Sequence, residues 1–424
     1  MVTLFFVLTI VLFLLGVPMA VTIGFSSIVY ILLADINPMI VVQRLFTGAD
    51  VSALMAIPFF ILAGNLMLTG GLAQRILDLA NSLIGRMTGG LALVTILGCM
   101  FFAAISGSSI ATAAALGTLM IPAMVDKGYG RGFATAIVSN ASPMGVIIPP
   151  SISLIIYGSL SGASISDLYL VGVPAGLIVG ISLLIVVYLI SRKRGYKGTD
   201  EPFKFSDFLR AFRRSLWALG TPIILLGGVF LGVVTPTESG VVAVIYAIVV
   251  GMFIYRELKL KDIWGIFLDS AKSTAVIMFI IANAALFAYI LAYENIPTAI
   301  VSSVLSISEN PIIVLLLINI ILLIFGAFMD TMAILVIVVP MFLPVITAMG
   351  VDPVLFGIIV VVNTAIGMAT PPFGATLLIS SNLGKSPLVT VARESGWMLF
   401  ALIVALLLIT YVPYLVMFPL WGFG

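Results

Sequence analysis

The chain has 424 residues, 62% of them hydrophobic and 8% charged, with a mean hydropathy of +1.31 and a formal net charge of +2. That composition excludes a soluble globular protein of ordinary surface composition. The absence of His excludes His-dependent proton relays, metal sites and Ser-His or Cys-His catalysis within the chain, and the lone Cys99 cannot form an intramolecular disulfide. The apolar runs are long and continuous, not short and alternating, so the expected fold class is an all-α polytopic membrane protein and not a β-barrel.

The first apolar run, residues 4–15, has no basic flank before it and no convincing cleavage site, and reads as a retained span. A break at Gly16-Val17-Pro18 separates it from the apolar residues that follow. Gly16, Gly24 and Tyr30 match Gly232, Gly240 and Tyr246 at a common offset of 216. In the later copy, 216–234 and 239–255 are each long enough to cross, so two crossings are expected in both halves. Residues 35–50 suit a short interfacial helix, 53–68 a span, and 72–86, punctuated by Arg75, Asp78 and Arg86, an amphipathic piece.

The run 91–124 holds 34 residues, too many for one crossing of roughly 20. A re-entrant hairpin with its tip at Ser106-Gly107-Ser108-Ser109 fits it. Residues 133–160 form a crossing interrupted at 145–150, and 168–190 cross again. Residues 191–215 then hold Arg192, Lys193, Arg194, Lys197, Lys204, Arg210, Arg213 and Arg214, eight of the 19 basic residues. The positive-inside rule makes this stretch a cytoplasmic loop, and it divides the chain into halves.

The second half repeats the order: two crossings, an interfacial piece at 258–269, a span at 273–292 and an arm at 296–306. A long run, 312–349, is broken at 326–331; a crossing interrupted at 367–372 and a final span at 396–416 complete it. Phe133 and Asn140 match Phe356 and Asn363 at an offset of 223, and Gly145, Pro149 and Pro150 match Gly367, Pro371 and Pro372 at 222. From the cytoplasmic loop, Lys127 and Arg131 fall inside, Glu294, Glu309 and Asp352 outside, and the N-terminus outside. The first hairpin then enters from the cytoplasm and the second from the exterior, an inverted-topology repeat. The expected units are 1–90 (scaffold and arm), 91–165 (hairpin plus broken helix), 166–310 (scaffold), 311–384 (second hairpin plus broken helix) and 385–424 (last span).

Backbone opened at bilayer depth must be buried in protein or line a watery cavity. A small monovalent cation there takes oxygens from unwound carbonyls and helix C-terminal ends. Ser106, Ser108 and Ser109 facing Gly145, Ile148 and Pro149 would make one cluster; Gly326, Asp330 and Thr331 facing Gly367, Thr370 and Pro371 would make its symmetry mate. Each Pro lacks an N–H and excludes a carbonyl from helical bonding, freeing acceptors. The same Gly, Ser and Pro residues also serve close packing and kinks. Asp330 is either a ligand or the cap of the returning helix. Asn140, Pro150, Ser151, Ser153, Asn363, Pro372 and Thr376 are the candidates to hold the unwound backbone or face a substrate, whereas Tyr157 suits packing. No Gly-Lys-Ser/Thr loop for a nucleotide and no basic surface for nucleic acid is present, so the energy comes from a gradient or a partner.

Ser106-Gly107-Ser108-Ser109, Met120-Ile121-Pro122-Ala123-Met124, Gly128-Tyr129, Ile148-Pro149-Pro150-Ser151-Ile152, Thr235-Pro236-Thr237-Glu238 and Thr370-Pro371-Pro372-Phe373-Gly374 occur in this order. The pattern resembles the large membrane subunit of tripartite ATP-independent periplasmic (TRAP) transporters over essentially the whole chain. The resemblance implies an elevator-type, sodium-coupled importer in a bacterial inner membrane, with Na+ between each hairpin tip and its facing break. It also implies two partners, a small four-helix membrane subunit and a periplasmic substrate-binding protein, with an organic acid such as a C4-dicarboxylate or sialic acid as substrate. The overall sequence looks more like the sialic-acid systems, and the small subunit is expected to be separate. The competing expectation is a stand-alone ion-coupled carrier; an intramembrane protease is disfavoured for want of a His or a second deep acid beside Asp330.

Overall fold

The computed structural model describes residues 1–198, 205–308 and 310–421, and among them every regular element is helical. In the first half the helices are α1 (Val2–Leu14), α2 (Met19–Leu33), α3 (Met39–Ala49), α4 (Ala56–Thr69), α5 (Leu72–Ile84), α6 (Gly90–Ser106), α7 (Ser109–Asp126), α8 (Arg131–Ala141), α9 (Met144–Ile147), α10 (Ile152–Ser161) and α11 (Ile165–Arg194). The second half holds α12 (Phe205–Phe230), α13 (Pro236–Val249), α14 (Leu260–Tyr293), α15 (Ile296–Ile307), α16 (Pro311–Gly326), α17 (Thr331–Ala348), α18 (Pro353–Met368), α19 (Ala375–Gly384), α20 (Leu388–Tyr411) and α21 (Tyr414–Trp421). Seven of the described helices are long and apolar enough to cross a membrane. An eighth crossing results if Arg131–Ile147 and Ile152–Ser161, bent by 43°, form one.

Polar side chains set many of the helix starts. Ser108, Ser151, Ser164, Asn310, Asp330 and Asp352 each accept a backbone N–H of the turn they begin, satisfying donors that hydrocarbon would leave bare. Thr235 and Glu238 close a reciprocal capping box on α13. The arm expected at 72–86 is α5, which buries Leu72, Ala73, Ile76, Leu77, Leu79 and Ala80 against α6 and α12.

Four expectations need correction. The interfacial piece at 258–269 and the span at 273–292 are one helix, α14, of 34 residues and about 51 Å, because no Pro interrupts 260–293. Of the loop at 191–215, residues 191–194 end α11 and 205–215 begin α12, where Arg210, Arg213 and Arg214 recur at helical spacing; Lys204, like Glu309 elsewhere, lies outside the described residues. The last span begins earlier, at Leu388, and stops at Tyr411, since Pro413 cannot continue the ladder. The two crossings expected before residue 34 are helices of 13 and 15 residues, shorter than a crossing needs, although the break at 16–18 is present.

In the core, α6 packs on α7 and both pack on α8; α16 packs on α18, and α17 on α10 and α18. The halves join where α19 lies on α7 and α8 and α20 lies on α8, α11 and α18. Tyr157 is fully buried in this seam, its hydroxyl donating to the Pro353 carbonyl at 2.5 Å, so it packs and ties α10 to the start of α18.

Candidate functional site

The first tip is a two-residue turn, Gly107-Ser108, between α6 and α7. Gly107 takes φ +59°, a left-handed conformation that L side chains rarely adopt. The tip meets the chain where α8 gives way to the short α9, to Ile148 in extended conformation and to the Pro149-Pro150 pair. The approach is close: a Cβ at Gly145 would lie 2.5 Å from the Ser108 carbonyl oxygen. Ser109 Oγ donates to the Pro143 carbonyl at 3.2 Å, and Gly107 O lies 3.5 Å from the Ile152 N–H.

Oxygens concentrate there. Ser106 Oγ is 2.9 Å from Thr112 Oγ1, and both hydroxyls approach the Ser108 carbonyl, at 3.3 and 2.8 Å. Each hydroxyl keeps lone pairs, and turning its proton away from Ser108 O presents two hydroxyl oxygens and one carbonyl oxygen to a cation. Thr112 was missed in the sequence, although its place four residues after Ser108 puts it over the tip.

The second tip has the same plan. Gly326 ends α16 and Gly367 lies near the end of α18; a Cβ on Gly367 would sit 2.4 Å from the Gly326 Cα. Asp330 is the N-cap of α17, its Oδ2 accepting the Met332 N–H at 3.0 Å. Thr331 Oγ1 points to the Met368 sulfur at 3.2 Å, and Thr370 Oγ1 donates to the Ile366 carbonyl at 2.9 Å. Both Pro-Pro pairs, 149–150 and 371–372, have cis peptide bonds. Among the described residues no three His, Cys, Asp or Glu side chains gather, so the donors on offer at both tips are carbonyls and hydroxyls, with one carboxylate at the second.

The two breaks differ in access. Residues 141–158 are buried throughout, whereas Thr370 and Pro371 are partly buried and Pro372 and Phe373 are exposed. Phe373 lies beside Phe328 of the second tip, the ring centroids 6.0 Å apart and the planes tilted by 52°, with both rings exposed. Of the residues expected to face a substrate, only Pro372 reaches the surface. Ser151 Oγ is spent on the Val146 carbonyl (2.5 Å) and on capping α10, and Thr376 Oγ1 bridges the carbonyls of Ser139 and Met368 at 3.1 and 2.8 Å. Asn140 Nδ2 binds Ser395 Oγ on α20 at 2.8 Å, and Asn363 Nδ2 binds Asn319 Oδ1 on α16 at 2.7 Å. Ser153 is buried beside the first break without a hydrogen-bond partner for its hydroxyl.

Comparison with known proteins accords with this architecture. Residues 6–415 match the family model described as the DctM component of tripartite ATP-independent periplasmic transporters. An isethionate TRAP transporter permease, DctMQ, of Oleidesulfovibrio alaskensis is 41% identical over 95% of this chain; the match spans 64% of that relative's length. A C4-dicarboxylate TRAP large permease of Pseudomonas aeruginosa is 41% identical, covering 87% of this chain and 86% of its own. A sialic acid TRAP large permease of Vibrio cholerae is 35% identical, covering 94% and 93%. Among solved structures the YdaH transporter of Alcanivorax borkumensis shares the fold with a TM-score of 0.63 at 14% identity, over 88% of this chain and 86% of that one. These relatives are transporter permeases and not enzymes. With a family match across nearly its whole length and apolar helices sufficient for several crossings, the chain is a multi-pass membrane protein that belongs to the DctM family of TRAP transporter large permeases.

Proposed function

We propose that this chain is the large transmembrane subunit of a sodium-coupled importer of an organic acid, a C4-dicarboxylate or a sialic acid. The observation that carries the reading is the pair of contacts in which a hairpin tip meets a helix break, at Ser108 with Gly145 and at Gly326 with Gly367. Helices end at each tip and break with their C-termini, the favourable end for a cation. Others begin there with their N-termini, at Ser109, Ile152, Thr331 and Ala375, the favourable end for a carboxylate. Na+ binding at a tip closes it on its break; the anion then rides between the closed tips. In this reading the two tip-and-break units are inverted repeats whose hairpins re-enter the membrane, and they move together, elevator-fashion, against the remaining helices.

The family match and the relatives' names support two partners, a small four-helix membrane subunit and a periplasmic binding protein that delivers the acid. The location in this reading is the bacterial inner membrane, with the N-terminus outside and residues 191–215 cytoplasmic. The experiment is uptake of labelled succinate, isethionate or N-acetylneuraminate into liposomes holding the chain and its small subunit. Binding protein is added outside, with and without an inward sodium gradient. Accumulation that needs both sodium and binding protein is expected; uptake indifferent to sodium sinks the coupling, and uptake by this chain alone favours a stand-alone carrier.

A further inference from the structure

A groove of about 880 Å³ opens between α5, α12 and residues 254–257, away from both tips. Four arginines line it, Arg75, Arg210, Arg213 and Arg214, against two acids, Asp78 and Glu257. Arg75 is committed: its guanidinium lies over the Tyr255 ring at 3.7 Å and pairs with Glu257 at 2.8 Å. The other three are not. Arg210 approaches only Asp207 of its own helix, at 3.8 Å, and among the described residues Arg213 and Arg214 have no carboxylate partner.

The groove is rigidly framed. Ser215 Oγ donates to the Arg75 carbonyl at 2.7 Å, locking α12 onto α5. The Tyr255 hydroxyl donates to the Arg214 carbonyl at 2.9 Å and accepts the Ala218 N–H at 3.1 Å, two groups that a helix ordinarily pairs with each other. Arg210, Arg213, Arg214 and Trp217 therefore share one face of α12, at spacings of three and four residues. Beside them Leu209, Leu216 and Ile223, seven apart, are 53%, 51% and 69% exposed, so a bare apolar stripe leads away from the basic groove along the same helix. Trp217, 46% exposed, stands where the two meet, the position aromatic residues favour at a membrane interface.

We propose that this groove binds the headgroup of an anionic phospholipid. The phosphate is held by the guanidinium groups of Arg210, Arg213 and Arg214, and the acyl chains lie along Leu216 and Ile223. Guanidinium forks match phosphate oxygens in pairs, and a basic cluster whose one carboxylate pair among the described residues is the long Arg210–Asp207 contact, set at the end of an apolar surface, suits a charged headgroup better than a zwitterionic one. A docked soluble protein would need carboxylates where the lipid offers phosphate, and would leave the apolar stripe of Leu216 and Ile223 beyond the groove uncovered.

The test is native mass spectrometry of the full chain, purified, delipidated and exposed to equimolar phosphatidylglycerol and phosphatidylcholine. Preferential retention of phosphatidylglycerol is expected, falling roughly fivefold for each arginine removed in Arg213→Gln and in the triple variant Arg210→Gln, Arg213→Gln, Arg214→Gln. If the triple variant does not purify as a monodisperse species, Arg213→Gln decides alone. Equal retention of the two lipids, or unchanged retention in the variants, overturns the proposal. Displacement of phosphatidylglycerol by millimolar inorganic phosphate overturns it in favour of a soluble anion, and lost pull-down of the small subunit with lipid retention intact overturns it in favour of a protein contact.

Discussion

Gly326 and Gly367 touch backbone to backbone: a Cβ on either would lie 2.8 or 2.4 Å from the Cα of the other. The atoms that such a Cβ would meet are backbone, with no flexible side chain to give way. Gly367→Ala is expected to force the pair apart, costing about 1–3 kcal/mol as overpacking does and abolishing uptake. Gly396→Ala, on α20 with nothing within 4 Å, is the control and is expected to be neutral or stabilising by up to ~1 kcal/mol. Thermal unfolding in detergent together with liposome uptake separates the two; equal behaviour of the variants would show that the contact is dispensable.

Asp330 caps α17 through one carboxylate oxygen. Asp330→Asn keeps an acceptor for the Met332 N–H and removes the charge; Asp330→Ala removes both. The Ala variant is expected to lose about 1 kcal/mol of stability and the Asn variant little of it. Under the proposed sodium coupling, the Asn variant is expected to need more sodium for half-maximal uptake. A sodium dependence unchanged in Asp330→Asn would leave the carboxylate as a cap alone.

Cys99 is fully buried in α6 and is the chain's single Cys, so single cysteines can be introduced against a silent background. The proposed inverted arrangement would place Lys127, after α7, in the cytoplasm and Asp352, before α18, outside. Asp352→Cys is expected to react with an impermeant maleimide in spheroplasts, and Lys127→Cys only in inverted vesicles. Labelling of both from the same face is incompatible with opposed hairpins.

A buried polar chain runs from Asn363 to Asn319 and on to Thr410 of α20, where Asn319 Nδ2 lies 3.1 Å from Thr410 Oγ1. Interhelical hydrogen bonds within membranes contribute about 0.6 kcal/mol each on average and up to ~1.7. Asn319→Leu breaks bonds to both neighbours and leaves the Asn363 amide underused, so its cost is expected near 1–2 kcal/mol in thermal unfolding. Thr410→Ser retains the hydroxyl and is expected to be near neutral.

Much of this arrangement is legible along the chain. Pro149-Pro150 and Pro371-Pro372 mark both breaks because a residue without an N–H cannot continue a helix, and Ser106 to Ser109 marks the first tip because an apolar run of that length has to turn. Less legible was where helices do not stop. Asp269 and Lys272 resemble an interfacial boundary, yet in α14 both side chains are exposed and lie 3.6 Å apart; charges on the outside of a helix do not end it. Nor did polarity reveal direction. Asn140, Asn363 and Ser151 are conspicuous in apolar surroundings, and each spends hydrogen bonds on holding the surrounding backbone and helices.

The residue types by themselves determined the membrane class, the two breaks and the repeated order, since hydrocarbon allows unpaired backbone almost nowhere and the exceptions are written in Gly, Ser and Pro. The partner of each break was decided only by tertiary packing. Gly145 and Ser108, or Gly326 and Gly367, are about forty residues apart, and a contact of bare backbone between them carries no local signature, because what defines it is the absence of side chains on helices that neighbouring helices hold in place.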